Sequence, residues 1–162
     1  MKGVTVVSAP TKTRKLVIYH MSFPWPLSDR ELVVTFNALP NPEDKSCTIV
    51  MATPQTSTYL NSEIPPCDRG NVRINVPIGC LYVKYLSENL TRVVFVVSAN
   101  SNIRYLPRWL VNFGSKHIMY SMMATLRNKI ENFEGSIYEK RVQEKPEYYN
   151  FLREKIDISL HH

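Results

Sequence analysis

Long apolar runs, glycine and paired cysteines are all scarce in this 162-residue chain, and each shortage excludes something. The longest strictly aliphatic or aromatic run is Val93 to Val97, far below the roughly 20 residues that a helical bilayer span needs. No charged segment followed by an apolar one opens the chain, so no secretory signal is expected. Three cysteines, Cys47, Cys67 and Cys80, cannot all pair internally and show no Cys-x-x-Cys spacing. A reducing, cytosolic setting is therefore expected, where the sequon Asn89-Leu90-Thr91 would stay unmodified. Only five glycines are present, too few for an easily built phosphate cradle. Nucleophile-elbow and His-Glu-x-x-His motifs are also missing, and no carboxylate pair shares a face suited to acid–base work. Catalysis is not expected, and no cofactor or metal is called for. His20 falls in a strand, where a structural role is the ordinary one, and His117 on a helix, where a solvated or helix-flanking position is.

What is present is a chain rich enough in hydrophobic residues (44%) to build a core, with a net charge of +6. Residues 1–115 hold 12 basic and 7 acidic groups, and residues 116–162 hold 8 and 7. The surplus thus sits on the front two thirds, including Lys12, Arg14, Lys15, Arg104 and Arg108. Such a surface serves nucleic acid, anionic lipid or plain solubility. Nucleic acid is disfavoured because Tyr82, Lys84 and Tyr85 are the nearest approach to a basic–aromatic cluster.

Hydrophobic periodicity predicts strands at Val4–Val7, Leu16–Phe23, Leu32–Leu39, Cys47–Thr53, Val72–Leu86 (bent near Pro77-Ile78-Gly79) and Thr91–Ala99. Turns are expected at Pro40–Asp44 and Ser87–Asn89, and a polar connection at Pro54–Pro66. The period then becomes helical from Leu106 and Pro107 to about Phe133, with Gly135 as its cap. A shorter helix is predicted from Pro146, with Tyr149, Leu152 and Ile156 on one face. Strands followed by one long helix define an α+β protein, a curved antiparallel sheet around a helix.

The segment Pro24-Trp25-Pro26-Leu27-Ser28-Asp29-Arg30-Glu31 resembles the PWPLSDRD signature of START domains, the lipid-transfer modules related to the steroidogenic acute regulatory protein. Gly70-Asn71-Val72-Arg73 is similar to that family's entry to a long strand. Leu106-Pro107-Arg108-Trp109-Leu110-Val111-Asn112 is similar to the start of its C-terminal helix, and Leu126-Arg127 follows in step. The resemblance covers about residues 16–130. It implies a helix-grip fold, with an apolar tunnel for one lipid between the sheet and the C-terminal helix, and a lid formed by that helix and a loop. Enclosure matters because each buried CH₂ is worth about 0.8 kcal/mol, so lifting an acyl chain from a membrane costs on the order of 10 kcal/mol.

Two departures from the family qualify the expectation. A START domain has an N-terminal helix and three more strands ahead of the point where this sequence starts. An N-terminally incomplete domain is expected at 1–135, either a truncated form or one whose gap another chain or a domain swap fills, and a C-terminal extension at 136–162. Thr91–Ala99 is then expected as a sheet edge. Cholesterol-binding members also carry a cavity arginine where this strand offers Thr35 and Phe36. That favours a phospholipid, ceramide-like or fatty acyl ligand over a sterol.

The expected lipid-binding residues are Phe36, Phe95, Val97, Trp109, Phe113, Met123 and His20. Apolar members of this set suit a filled core equally well, and Met119, Met122 and Met123 suit either a core or an adaptable cavity. Arg104 and Arg108 flank a helix N-terminus, where the macrodipole disfavours cations; they are the expected contacts to an anionic membrane. Trp25, Asp29 and Arg30 are expected to be structural, an ion pair and turn that fix the loop to the sheet. The leading expectation is a non-enzymatic lipid carrier, cytoplasmic and peripheral at membranes. Its rivals are a protein-interaction module with a filled core, and an enzyme using His20, Tyr19 and Asn75.

Overall fold

The computed structural model describes residues 3–23, 25, 27–100 and 108–156. Six strands form one sheet: β1 (Gly3–Thr11), β2 (Arg14–Met21), β3 (Arg30–Asn41), β4 (Ser46–Ala52), β7 (Val72–Ser87) and β8 (Leu90–Asn100). A separate hairpin joins β5 (Thr58–Tyr59) to β6 (Ser62–Glu63). The sheet order is β1-β2-β3-β4-β7-β8, and neighbours in it are antiparallel. A further pairing departs from a pure meander. Beyond the end of β4, the start of β7 closes directly onto the start of β3, in parallel, at Arg30–Leu32 and Val72–Ile74.

Two strands run through prolines that the sequence reads as stops. β1 continues past Pro10, which costs no ladder bond because β1 is an edge strand in the described sheet. β3 continues through Pro40, where β2 has already ended: their register finishes at Arg14 opposite Asn37. Pro40 pairs only with Cys47 of β4. The polar connection expected at 54–66 contains the β5–β6 hairpin. Its two turn residues, Leu60 and Asn61, both have positive φ (45° and 66°), the signature of a type I′ turn. Asn-Gly is the usual pair for that turn, so Leu-Asn gives only half the signal.

Helices α1 (Arg108–Glu131), α2 (Ile137–Glu144) and α3 (Pro146–Ile156) follow. Contacts divide the chain into two compact units, one built on the sheet and one on the helices. α1 ends at Glu131, four residues short of Gly135. Gly135 therefore does not cap it, but sits at φ +70° in the turn before α2. α2 is an element the periodicity does not show. It is set by local chemistry: the Ser136 hydroxyl accepts from the Tyr138 and Glu139 amides (3.2 and 3.3 Å), and the Glu139 carboxylate accepts from the Gly135 amide (2.6 Å). That Ser-x-x-Glu arrangement satisfies orphan donors at the helix start.

The buried apolar residues are Leu16, Val17, Ile18, Val33, Val34, Ile74 and Val76. They lie where β2, β3 and the start of β7 meet. Leu16, Ile18 and Val33 form one cluster, against which Val7, Tyr59 and Ile64 pack.

Candidate functional site

Cross-strand partners share a face and successive residues alternate, so the register sorts every sheet residue. One face carries the row Phe36–Met51–Gly79–Val97, each opposite the next across β3, β4, β7 and β8. The adjoining row on the same face is Ala38–Ile49–Leu81–Phe95. Tyr19 opposes Leu32 on this face too, and its ring meets that of Phe36 edge-on at 6.3 Å. The register positions between them are Val17 and Val34, both buried. Burial pushes the Tyr19 hydroxyl pKa upward, and it raises that of the Cys47 thiol on the same face.

Gly79 explains how the first row closes up. A Cβ at that position would lie 2.5 Å from Met51 Cγ and 3.4 Å from Val97 Cγ2. The thioether of Met51 thus occupies the space a side chain would take. Of the expected lipid-contacting residues, Phe36, Phe95 and Val97 are brought together here. Phe36 and Phe95 are half-buried, and Val97 is 39% exposed.

His20 is not among them. It opposes Glu31 and Gly3 on the other face, and Glu31 in turn opposes Arg73. Glu31 is 2% exposed. Its Oε1 accepts from both Nε (2.9 Å) and Nη2 of Arg73, and its Oε2 accepts from the Asp68 amide at 3.3 Å. Arg73 also donates to the Pro65 carbonyl (2.9 Å), and His20 Nδ1 lies 3.8 Å from Asp68 Oδ2. This cluster pins the 53–71 connection across the face. The β5–β6 hairpin adds a bond from Tyr59 Oη to Asn37 Oδ1 at 3.1 Å. Cavities of about 370 Å³ flank the cluster. One is lined by Val33, Thr53, Ile64, Pro65 and Arg73, the other by Gly3, His20, Asp29, Arg30 and Asp68.

His20, Glu31 and Asp68 place one ligand atom each within 4.8 Å of one another, but Glu31 is already engaged by a guanidinium. Tyr19 and His20, adjacent on β2, point to opposite faces, so the three polar candidates for chemistry do not converge.

The signature segment is held by backbone contacts. Asp29 Oδ1 accepts from the Phe23 amide (3.2 Å), and the Asp29 carbonyl accepts from the Val72 amide (3.0 Å), tying the loop to β7. The Arg30 guanidinium is buried, donates to the Ser28 carbonyl and lies 5.4 Å from the Phe23 ring centroid. Trp25 is 93% exposed. Met123 is half-buried on α1. Arg104 lies outside the described residues, as do the side chains of Arg108, Trp109 and Phe113. The Glu31–Arg73 pair is the feature that sequence reasoning missed, although both residues stand inside motifs it singled out.

No protein-family model matches the chain, and no curated protein does. Solved structures do. Human STARD10 superposes with a TM-score of 0.68 at 16% identity, over 88% of this chain and 52% of that one. Human StAR-related lipid transfer protein 5 gives 0.68 at 18%, over 82% and 61%. The lipid transfer and protein localization domain of human StarD13 gives 0.50 at 16%, over 66% and 50%. The chain spans about half to three fifths of the length of these structures, and over most of its own length it has the α+β fold of the START domains.

Proposed function

We propose that this chain is a non-catalytic lipid-binding protein that holds one lipid against the apolar sheet face and carries it between membranes. The observation that supports this is the row Phe36–Met51–Gly79–Val97 with Phe95 beside it, an apolar surface on the face opposite the polar cluster. Two of the structures it resembles are named for lipid transfer. In this reading residues 1–135 form a helix-grip domain. Trp109, Phe113 and Met123 are candidate lipid contacts, and residues 136–162 form an extension. Arg104 and Arg108 contact an anionic membrane surface transiently, and the protein is cytoplasmic and peripheral. No described helix is long and apolar enough to cross a membrane.

The strand offers Thr35 and Phe36 where cholesterol-binding members carry an arginine, so the ligand is a phospholipid, a ceramide-like lipid or a fatty acyl chain. A sterol hydroxyl would find no ionic partner there. Native mass spectrometry of the purified protein, with lipid extraction of the same sample, tests the reading. The expected result is one co-purified acyl lipid per chain, lost in Phe95→Asp. A folded protein that carries no lipid and takes none from vesicles of any headgroup class refutes it. A filled core serving protein interaction is then the reading that stands.

A further inference from the structure

The row Phe36–Met51–Gly79–Val97 continues one strand further, and there its chemistry changes. Lys15 of β2 stands opposite Phe36, so a single ladder row runs Lys15–Phe36–Met51–Gly79–Val97 across five neighbouring strands. Four gaps of about 4.8 Å between strands make it roughly 19 Å long. It has a cation at one end and uncharged, apolar positions along the rest. Among the described residues, the register assigns one other charged strand residue to this face, Arg30 opposite Met21, and no acidic one. Arg14, Glu31, Arg73, Lys84 and Arg92 all belong to the opposite face. Arg30 lies six residues along β3 from Phe36, roughly 20 Å away, and its guanidinium is taken up by the Ser28 carbonyl and the Phe23 ring. Lys15 is thus the cation that an anion lying on this row meets.

We infer that the lipid taken by this face has an anionic head, a carboxylate or a phosphate without a compensating cation, which Lys15 binds while the acyl chain runs along the row toward Val97. This rests on the lipid-binding reading above and selects among its ligands. A lysine lays its methylene stem along apolar surface and keeps its ammonium at the polar boundary. Cross-strand pairing with Phe36 therefore sets head recognition beside the first methylenes of the chain. A charged side chain in place of Phe36 would stand where that chain begins. Further along, the thioether of Met51 fills the space beside Gly79, and a flexible side chain there can adapt to an acyl chain. An anionic head gains a charge-assisted hydrogen bond from Lys15, roughly twice as strong as a neutral one. A neutral hydroxyl, as on a ceramide or a sterol, gains only the neutral bond. A choline head brings its own cation beside Lys15, with no acidic strand residue on the face to receive it.

Native mass spectrometry of the folded chain, offered equimolar pairs of lipids in vesicles, reads the selection. The pairs are oleate with oleyl alcohol, and phosphatidylglycerol with phosphatidylcholine of matched chains. The anionic member of at least one pair is expected to be bound about tenfold over its partner, equivalent to about 1.4 kcal/mol. Which pair responds identifies a free fatty acid or a phospholipid as the source. Lys15→Gln should bring the ratio close to parity while the total lipid bound persists, and Lys15→Arg should keep the preference. Salt serves where Lys15→Gln does not fold: the preference of the unmodified chain should shrink from about 0.01 M to about 1 M salt, as the screening length falls from about 30 Å to about 3 Å. Lipid bound without preference in either pair overturns the inference and leaves the lipid-binding reading intact. So does a preference that survives Lys15→Gln or is indifferent to salt. A folded chain that takes up none of the four lipids refutes both.

Discussion

Replacing Arg73 by methionine isolates what the buried ion pair contributes. Glu31 is 2% exposed and its Oε1 takes both of its side-chain donors from Arg73. Methionine keeps the apolar stem but leaves a carboxylate in the interior whose remaining hydrogen bond among the described residues comes from the Asp68 amide. Breaking a buried pair costs about 3–5 kcal/mol. The Arg73 side chain is 28% exposed, so solvent takes up part of the loss, and about 2–4 kcal/mol is expected. At roughly 2–4 °C per kcal/mol for a chain of this size, the midpoint should fall by about 5–15 °C. Glu31→Leu/Arg73→Met should recover most of that, because the penalty lies in the orphaned charge and not in the lost attraction. Urea titrations of the unmodified chain, both single variants and the double variant give the cycle. The 53–71 connection should also become more susceptible to protease in Arg73→Met, since the Pro65 carbonyl loses its donor. A loss below about 0.5 kcal/mol in Arg73→Met, the range of an exposed pair, refutes the reasoning. A double variant no more stable than Arg73→Met would refute it as well.

Three further outcomes are expected. Asp44 has its pKa lowered to about 2 by hydrogen bonds from Lys84 and Tyr82. Because the folded value lies below the ordinary 3.8, the stabilisation is present above that value and is lost as pH falls toward 2. The stability difference between the unmodified chain and Asp44→Asn should therefore be level above pH 5 and shrink through that window; a difference that persists at pH 2 would count against the assignment. For lipid uptake, Phe36→Arg and Phe95→Asp should abolish binding while His20→Ala leaves it unchanged, because His20 opposes Glu31 on the other face; equal losses in all three would contradict the two-face reading. Ser136→Ala should cost about 1 kcal/mol of α2 stability through loss of its cap, seen as faster amide exchange at Tyr138 and Glu139 relative to α1.

Which strands exist was legible because their signals are local. Leu32, Val34 and Phe36 alternate against polar or smaller neighbours, and that period holds wherever the strand lies. Bounds were less so: β1 and β3 run through Pro10 and Pro40 because no described strand lies where the missing amide would have bonded, and only the assembled sheet shows which side that is. α2 could have been read from Ser136 and Glu139 at capping-box spacing. The turn at Leu60-Asn61 could not, since leucine carries no signal for positive φ.

For the site, the sequence by itself determined the supply of apolar strand residues, the START-type signature around Asp29 and Arg30, and the absence of any catalytic motif. Tertiary structure alone decided how these were distributed. Glu31 and Arg73 are 42 positions apart, and they meet because β4 stops at Ala52 and lets β7 lie along β3. His20 and Tyr19 are neighbours in sequence but serve opposite faces, and a shift of one residue in register would exchange their roles. Parity of this kind is a property of pairing between strands, and no single strand contains it.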